Sequence, residues 1–128
     1  RYFNTFGGNP VSCAAGLAVL DELADRDLVA HSRDLGGDLV DLVREVAAPW
    51  RPDRVRDVRG TGLFVAVELD VAQDATAVVN DLRRHGVLIA ATGPGARTLK
   101  IRPPLVIDGQ QVQVLVDELA SALRRVLR

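Results

Sequence analysis

The spacing of apolar residues changes twice between Leu35 and Leu82, and a fold built from one kind of element cannot accommodate that. Leu35, Leu39, Leu42, Val43 and Val46 recur at intervals of four, three, one and three, so they share one face of a helix. From Arg54 onward the interval falls to two, with Leu63, Val65, Val67 and Leu69 alternating against Phe64, Ala66 and Glu68. That is the pattern of strands with one buried face. Ala75, Val78, Val79 and Leu82 then return to the helical interval. The chain therefore has to mix helices and strands around one core.

Punctuation residues place the boundaries. Asn9-Pro10 joins a favoured N-cap to a residue suited to the first helical position, so a helix is expected over 11–24, Ala-rich and apolar on most sides. A second helix is predicted over 34–47 and ends before Pro49, with Pro52 in the loop that follows. Strands follow from Arg54 to Leu69, bent at Gly60-Thr61-Gly62. A third helix over 73–85 is capped by Gly86, and a strand covers 87–91. After the turn Thr92-Gly93-Pro94-Gly95, a strand over 98–102 puts Leu99 and Ile101 on one face and Lys100 and Arg102 on the other. Pro103-Pro104 stops it. Asp108 caps a last helix striped by Val112, Leu115, Val116, Leu119, Leu123 and Val126. The order predicts an α+β fold, a mostly antiparallel sheet with helices on one face.

Composition narrows the function. The 128 residues carry 16 basic and 17 acidic side chains, so no uniform positive field exists to hold a nucleic acid. No apolar run approaches the roughly 20 residues that span a bilayer, and no signal-peptide layout is present, so a cytoplasmic protein without a membrane partner is expected. Cys13 is the single cysteine. His31 and His85 have no ligand-like spacing, and no metal site is expected. Both histidines are read as lying near helix C-terminal ends, where a positive imidazole suits the dipole. Methionine is absent and the sequence opens on Arg1-Tyr2-Phe3-Asn4, so a piece of a longer protein is expected. Lys100 is the sole lysine, which restricts any chemistry that needs an amine nucleophile.

The most specific segment is Thr5-Phe6-Gly7-Gly8-Asn9-Pro10. The first N–H groups of a helix lack intrahelical acceptors and sit at the positive end of its dipole, so an anionic oxygen is favoured there. A phosphate would find the Thr5 hydroxyl and glycine backbone beside it. The same residues also make a good helix start with no ligand at all.

Thr5 to Leu20 closely resembles a hallmark stretch of the class III aminotransferases, pyridoxal-phosphate enzymes of the aspartate-aminotransferase fold (fold type I). Val58-Arg59-Gly60-Thr61-Gly62-Leu63 is similar to that family's Arg-Gly-x-Gly-Leu, and Lys100-Ile101-Arg102-Pro103-Pro104-Leu105-Val106-Ile107 to its Arg-x-x-Pro-Pro-Leu. The resemblance implies the C-terminal small domain over 33–128. Residues 1–32 would be a leading loop and long helix joined to a large domain. It implies pyridoxal 5'-phosphate as cofactor and a homodimer with shared sites. Thr5, with Phe6 beside it, would contact the cofactor across the interface, Thr5 at the phosphate of the neighbouring subunit. The family's cofactor-bearing lysine lies upstream of Arg1, so no catalytic residue is assigned and the isolated 128 residues are expected to be inactive.

Lys100 stands where the family pattern has an arginine that forks onto a substrate carboxylate in several members. A lysine offers a point charge instead of a planar fork, and Arg102, two residues on, is placed to share the task. The wording Leu-Lys-Ile-Arg-Pro-Pro-Leu resembles the branch of amino-alcohol phosphate phospho-lyases. Three functions follow: transfer of an amino group from an amine or amino acid to an oxo acid, phospho-lyase elimination with the same cofactor, or a non-catalytic α+β interaction module. The other candidates are read as structural. Cys13 is a small packed residue, Arg59 an interior ion-pair partner and Trp50 a loop anchor. The charges from Asp21 to Asp27 and Arg83-Arg84 are solvated faces.

Overall fold

The computed structural model describes residues 3–128. Four helices and four strands follow one another as α1 (Pro10–Asp25), α2 (Leu28–Ala47), β1 (Val55–Thr61), β2 (Phe64–Leu69), α3 (Ala72–Arg84), β3 (Ala90–Thr92), β4 (Thr98–Ile101) and α4 (Gly109–Val126). The strands form one antiparallel sheet in the order β1-β2-β4-β3. Val58, Val65, Val67, Leu69, Leu99 and Ile101 turn to one face and are buried with Leu39 and Val43 of α2, Val78 and Leu82 of α3, and Leu119 and Leu123 of α4. Burying one such side chain is worth about 1.5–3 kcal/mol, so this shared face holds the fold together. Trp50 packs half-buried against the same core.

Helix α2 begins six residues before the expected start. Asp27 turns the chain with φ 44°, and Leu28, already buried, extends the stripe of Leu35 and Leu39 back by two turns. Asp25, Arg26 and Asp27 before Leu28, and His31 to Asp34 after Val29-Ala30, hide that phase in the sequence. The earlier start puts His31 in the first turn of α2, not at a C-terminus, and its Nε2–H donates to the Ile107 carbonyl at 2.8 Å. His85 does cap α3 at its C-terminal end. Strand β3 starts later than expected because the Val87 N–H is still bonded back to the Leu82 carbonyl. Strand β4 stops at Ile101, so Arg102 lies beyond it.

A register shift between Val55 and Asp57 lets Val55 and Val58, three residues apart, both reach the core. The hairpin then turns at Gly62, where φ is +52°. Gly36 of α2 presses on that turn. A Cβ there would fall inside contact distance of the Gly62 carbonyl carbon, while a Cβ at Gly37 would meet nothing within 4 Å. Ser32, one turn earlier on α2, accepts the Leu63 N–H at 3.4 Å. The last helix is fixed by a reciprocal capping box, Asp108 accepting from the Gln111 N–H at 2.8 Å and the Gln111 side chain from the Asp108 N–H at 3.1 Å.

Helix α1 behaves differently. Asn9 caps it through the Ser12 N–H at 3.0 Å, as the sequence predicts, yet none of its described residues is buried and its contacts run chiefly to α2. Val11, Leu17, Val19 and Leu20 are all exposed. The burial expected for this helix is therefore absent within this chain.

Two outcomes follow. Gly36→Ala should destabilise the protein by about 1–3 kcal/mol through overpacking, whereas Gly37→Ala should stabilise it by up to about 1 kcal/mol through helix propensity, both read from urea midpoints. Between α3 and α4, Arg125 donates to Asp81 at 2.6 and 3.0 Å, and this hydrogen bond holds the Asp81 carboxyl below its usual range. A carboxylate with a lowered folded pKa contributes in full above its unfolded value of about 3.9 and loses that contribution as pH falls through the lowered one. The stability advantage of wild type over Arg125→Ala should thus shrink as pH is taken from about 5 toward 2; a constant advantage would contradict it.

Candidate functional site

The loop leading into α1 supports itself with short-range bonds. The Asn4 side-chain oxygen accepts the Phe6 and Gly7 N–H groups at 3.1 and 3.0 Å, and Asn9 Nδ2 donates to the Phe6 carbonyl at 3.0 Å. Gly8 turns with φ +75°, which a side chain would resist. Thr5 and Phe6 stand exposed on the outside of this loop, Phe6 at 83%. The Ser12 N–H, one of the helix donors that an anion would seek, is taken by Asn9. What the loop presents outward is thus the Thr5 hydroxyl and the Phe6 ring.

A second feature lies on the face of the sheet that the helices leave open. Alternation sends Phe64, Ala66 and Glu68 of β2 to that face, opposite Val65, Val67 and Leu69, and the cross-strand register aligns Arg59, Ala66, Lys100 and Ala90 in one row. Arg59, Ala66 and Lys100 of this row, with Arg97 and the turn at Gly93, line an open groove of about 690 Å³. The two alanines flank Lys100 with methyl groups only. Among the described residues the Lys100 side chain has no ion pair and no hydrogen bond, although its backbone sits in the ladder between β2 and β3.

The other cations of the groove are engaged. Arg59 Nη1 donates to Asp57 Oδ2 at 2.8 Å and to Glu68 Oε2 at 3.1 Å, and Arg97 Nη2 lies 3.9 Å from Glu68 Oε1. The Arg59 hydrogen bond holds the Asp57 carboxyl below its usual range, and Asp57 and Glu68 together raise the guanidinium. Arg59 is therefore not the interior ion-pair partner expected. Its side chain is 53% exposed because β1 is the edge of the sheet and residue 59 faces away from the helices.

Arg102 lines a separate, smaller cavity of about 260 Å³ with Pro103 and Leu105, divided from the Lys100 groove by Thr61 and Phe64, which border both. The structure brings Lys100 and Arg102 to neighbouring hollows. It does not bring Thr5 into either. Cys13 is exposed in the first turn of α1 and not packed, since nothing in this chain covers that helix. Glu68, Arg97 and Phe64 were not singled out in the sequence. The alternation of β2 marks Glu68 and Phe64 as facing away from the core, but their meeting with Arg97 and Lys100 depends on the pairing of β2 with β4. Among the described residues no helix is long and apolar enough to cross a membrane.

Comparison with known proteins converges on one family. The aminotransferase class-III pattern matches residues 2–123. An aminotransferase from Bacillus anthracis superposes with a TM-score of 0.88 at 30% identity, over 98% of this chain and 30% of its own. The ornithine aminotransferase of Toxoplasma gondii does so with 0.88 at 31% identity, over 98% and 30%. A phospholyase from Arthrobacter, in complex with phosphoethanolamine, gives 0.88 at 37% identity, over 96% and 31%. The chain thus spans about a third of the length of these solved relatives. Its antiparallel sheet with helices on one face is the small-domain arrangement of the fold type I aminotransferases. On this agreement of pattern, identity and fold, the chain belongs to the class III aminotransferases.

Proposed function

We propose that these 128 residues are the C-terminal part of a pyridoxal-phosphate-dependent class III aminotransferase that works as a homodimer and moves an amino group from an amine or amino acid to an oxo acid. The observation that carries this is α1. Its exposed Val11, Leu17, Val19 and Leu20 call for a covering surface, and Thr5 is presented on the loop at its head. An interaction module that folds alone would leave no such helix bare. Residues 1–32 then lead from a large domain and residues 33–128 form the small domain, with residue 33 inside the continuous helix α2.

The residues present fit the edges of a cofactor site. Thr5 offers an exposed hydroxyl donor, the glycines after Phe6 leave room for a phosphate, and Phe6 offers an apolar ring. When bound, pyridoxal phosphate supplies the electron sink that makes a proton on the substrate's amine-bearing carbon removable. The chain's own part is to hold and orient. The Thr5 hydroxyl donates to the phosphate of the neighbouring subunit's cofactor. Lys100, whose side chain is paired with no carboxylate, attracts an anionic group of the substrate, and Arg102 guards the adjoining hollow. Because Lys100, the only amine side chain, serves the substrate's anion on this reading, the lysine that carries the cofactor would come from outside these residues, and the 128 residues alone would not turn over.

A second reading keeps the cofactor and changes the reaction to elimination of phosphate from an amino-alcohol phosphate. It is favoured by the 37% identity to the Arthrobacter phospholyase and by lysine at position 100. Products separate the two: a new amino acid in the first case, inorganic phosphate without a second keto substrate in the other. Both share one test. In the full-length protein Thr5→Ala should weaken cofactor retention by about 1–3 kcal/mol, the worth of a charge-assisted hydrogen bond, measured by dialysis against the absorbance of bound cofactor. Unchanged retention would remove Thr5 from the phosphate.

A further inference from the structure

The charges around the Lys100 groove are unequal in availability as well as in number. Among the described residues its lining holds three cations, Arg59, Arg97 and Lys100, and one carboxylate, Glu68, while Asp57, outside the lining, pairs with Arg59. Glu68 stands between the two arginines, one oxygen toward each, and Asp57 takes a further share of Arg59. Only Lys100 has no carboxylate partner. A carboxylate moved out of water into such a groove needs a cation whose charge is not already spent, because the desolvation cost is otherwise uncompensated.

We infer that the groove is a single-anion site and that Glu68 is its specificity-determining residue: together with Asp57 it offsets Arg59 and Arg97 and leaves Lys100 as the groove's one cation without a carboxylate partner. The groove therefore accepts substrates bearing one anionic group at this end and disfavours those that bring a second. This rests on the reading of Lys100 as the contact for the substrate's anion. The geometry explains how a second anion would reach the arginines if they were released. Arg59 and Lys100 are each one strand from Ala66, so their backbones lie about 10 Å apart across a floor of one methyl group, within the span of two long side chains closing on a short diacid.

The test uses the full-length protein and two probes of equal carbon number, valerate with one carboxylate and glutarate with two, titrated calorimetrically. Wild type should bind valerate at least as tightly as glutarate. In Glu68→Gln, glutarate should tighten at least fivefold while valerate stays within twofold, and Glu68→Asp should restore the wild-type preference. Arg97→Gln, at a more exposed position, should move the preference the opposite way. Lys100→Ala should weaken both probes at least fivefold. If Lys100→Ala weakens both but Glu68→Gln leaves the ratio unchanged, or tightens both probes equally, the inference is overturned and the reading of Lys100 stands. If Lys100→Ala leaves both unchanged, or neither probe binds wild type, that reading fails and the inference with it.

Discussion

Val65, Val67 and Leu69 commit one face of β2 to the core beneath three helices, and strand alternation then obliges Phe64, Ala66 and Glu68 to face the other way. Everything proposed for the groove follows from that division. Because β2 is central, it passes the same choice to both sides: Arg59 on β1 and Lys100 on β4 are aligned with Ala66 by register. The helices seal one face with apolar side chains, and the other keeps a row of charges whose pairing is set by strand geometry. The close approach of Gly36 to the Gly62 turn seats the hairpin on α2 and so fixes where Thr61 and Phe64 divide the two hollows.

The second organising fact is an imbalance. Helices α2, α3 and α4 each bury a stripe, while α1 buries nothing in its sixteen residues despite side chains as apolar as theirs. A helix of that kind is stable in context only when another surface covers it, since isolated helices of this length are marginal in water. The relatives that this chain matches are about three times as long, and the proposed large domain and partner subunit are the natural cover. On that reading the exposed loop at residues 5–8 is displayed where two subunits meet.

Much of this was legible in the residues. The capping residues Asn9 and Asp108, the glycine after α3 and the alternation of β2 and β4 each act within a few positions, so their signals survive in a single sequence. The start of α2 is hidden because the polar run His31 to Asp34 separates Leu28 from Leu35, and β3 is displaced because Val87 remains bonded to α3. The groove was only half visible. Lys100 stood out as the sole lysine, but the engagement of Arg59 and Arg97 by Glu68 joins two strands and a loop, and no local pattern encodes such a meeting. Cys13 and Arg59 were misplaced for one reason: both lie on surfaces this chain leaves open, where sequence patterns of burial have nothing to report.

The central claim is that these residues complete a cofactor site whose lysine lies elsewhere in the protein. It is tested most directly by the intact mass of the protein purified from its own source after borohydride reduction, which fixes a lysine-bound cofactor covalently. The account predicts a mass far above 13.8 kDa with one pyridoxyl adduct per subunit. A mass of 13.8 kDa with no adduct would contradict it.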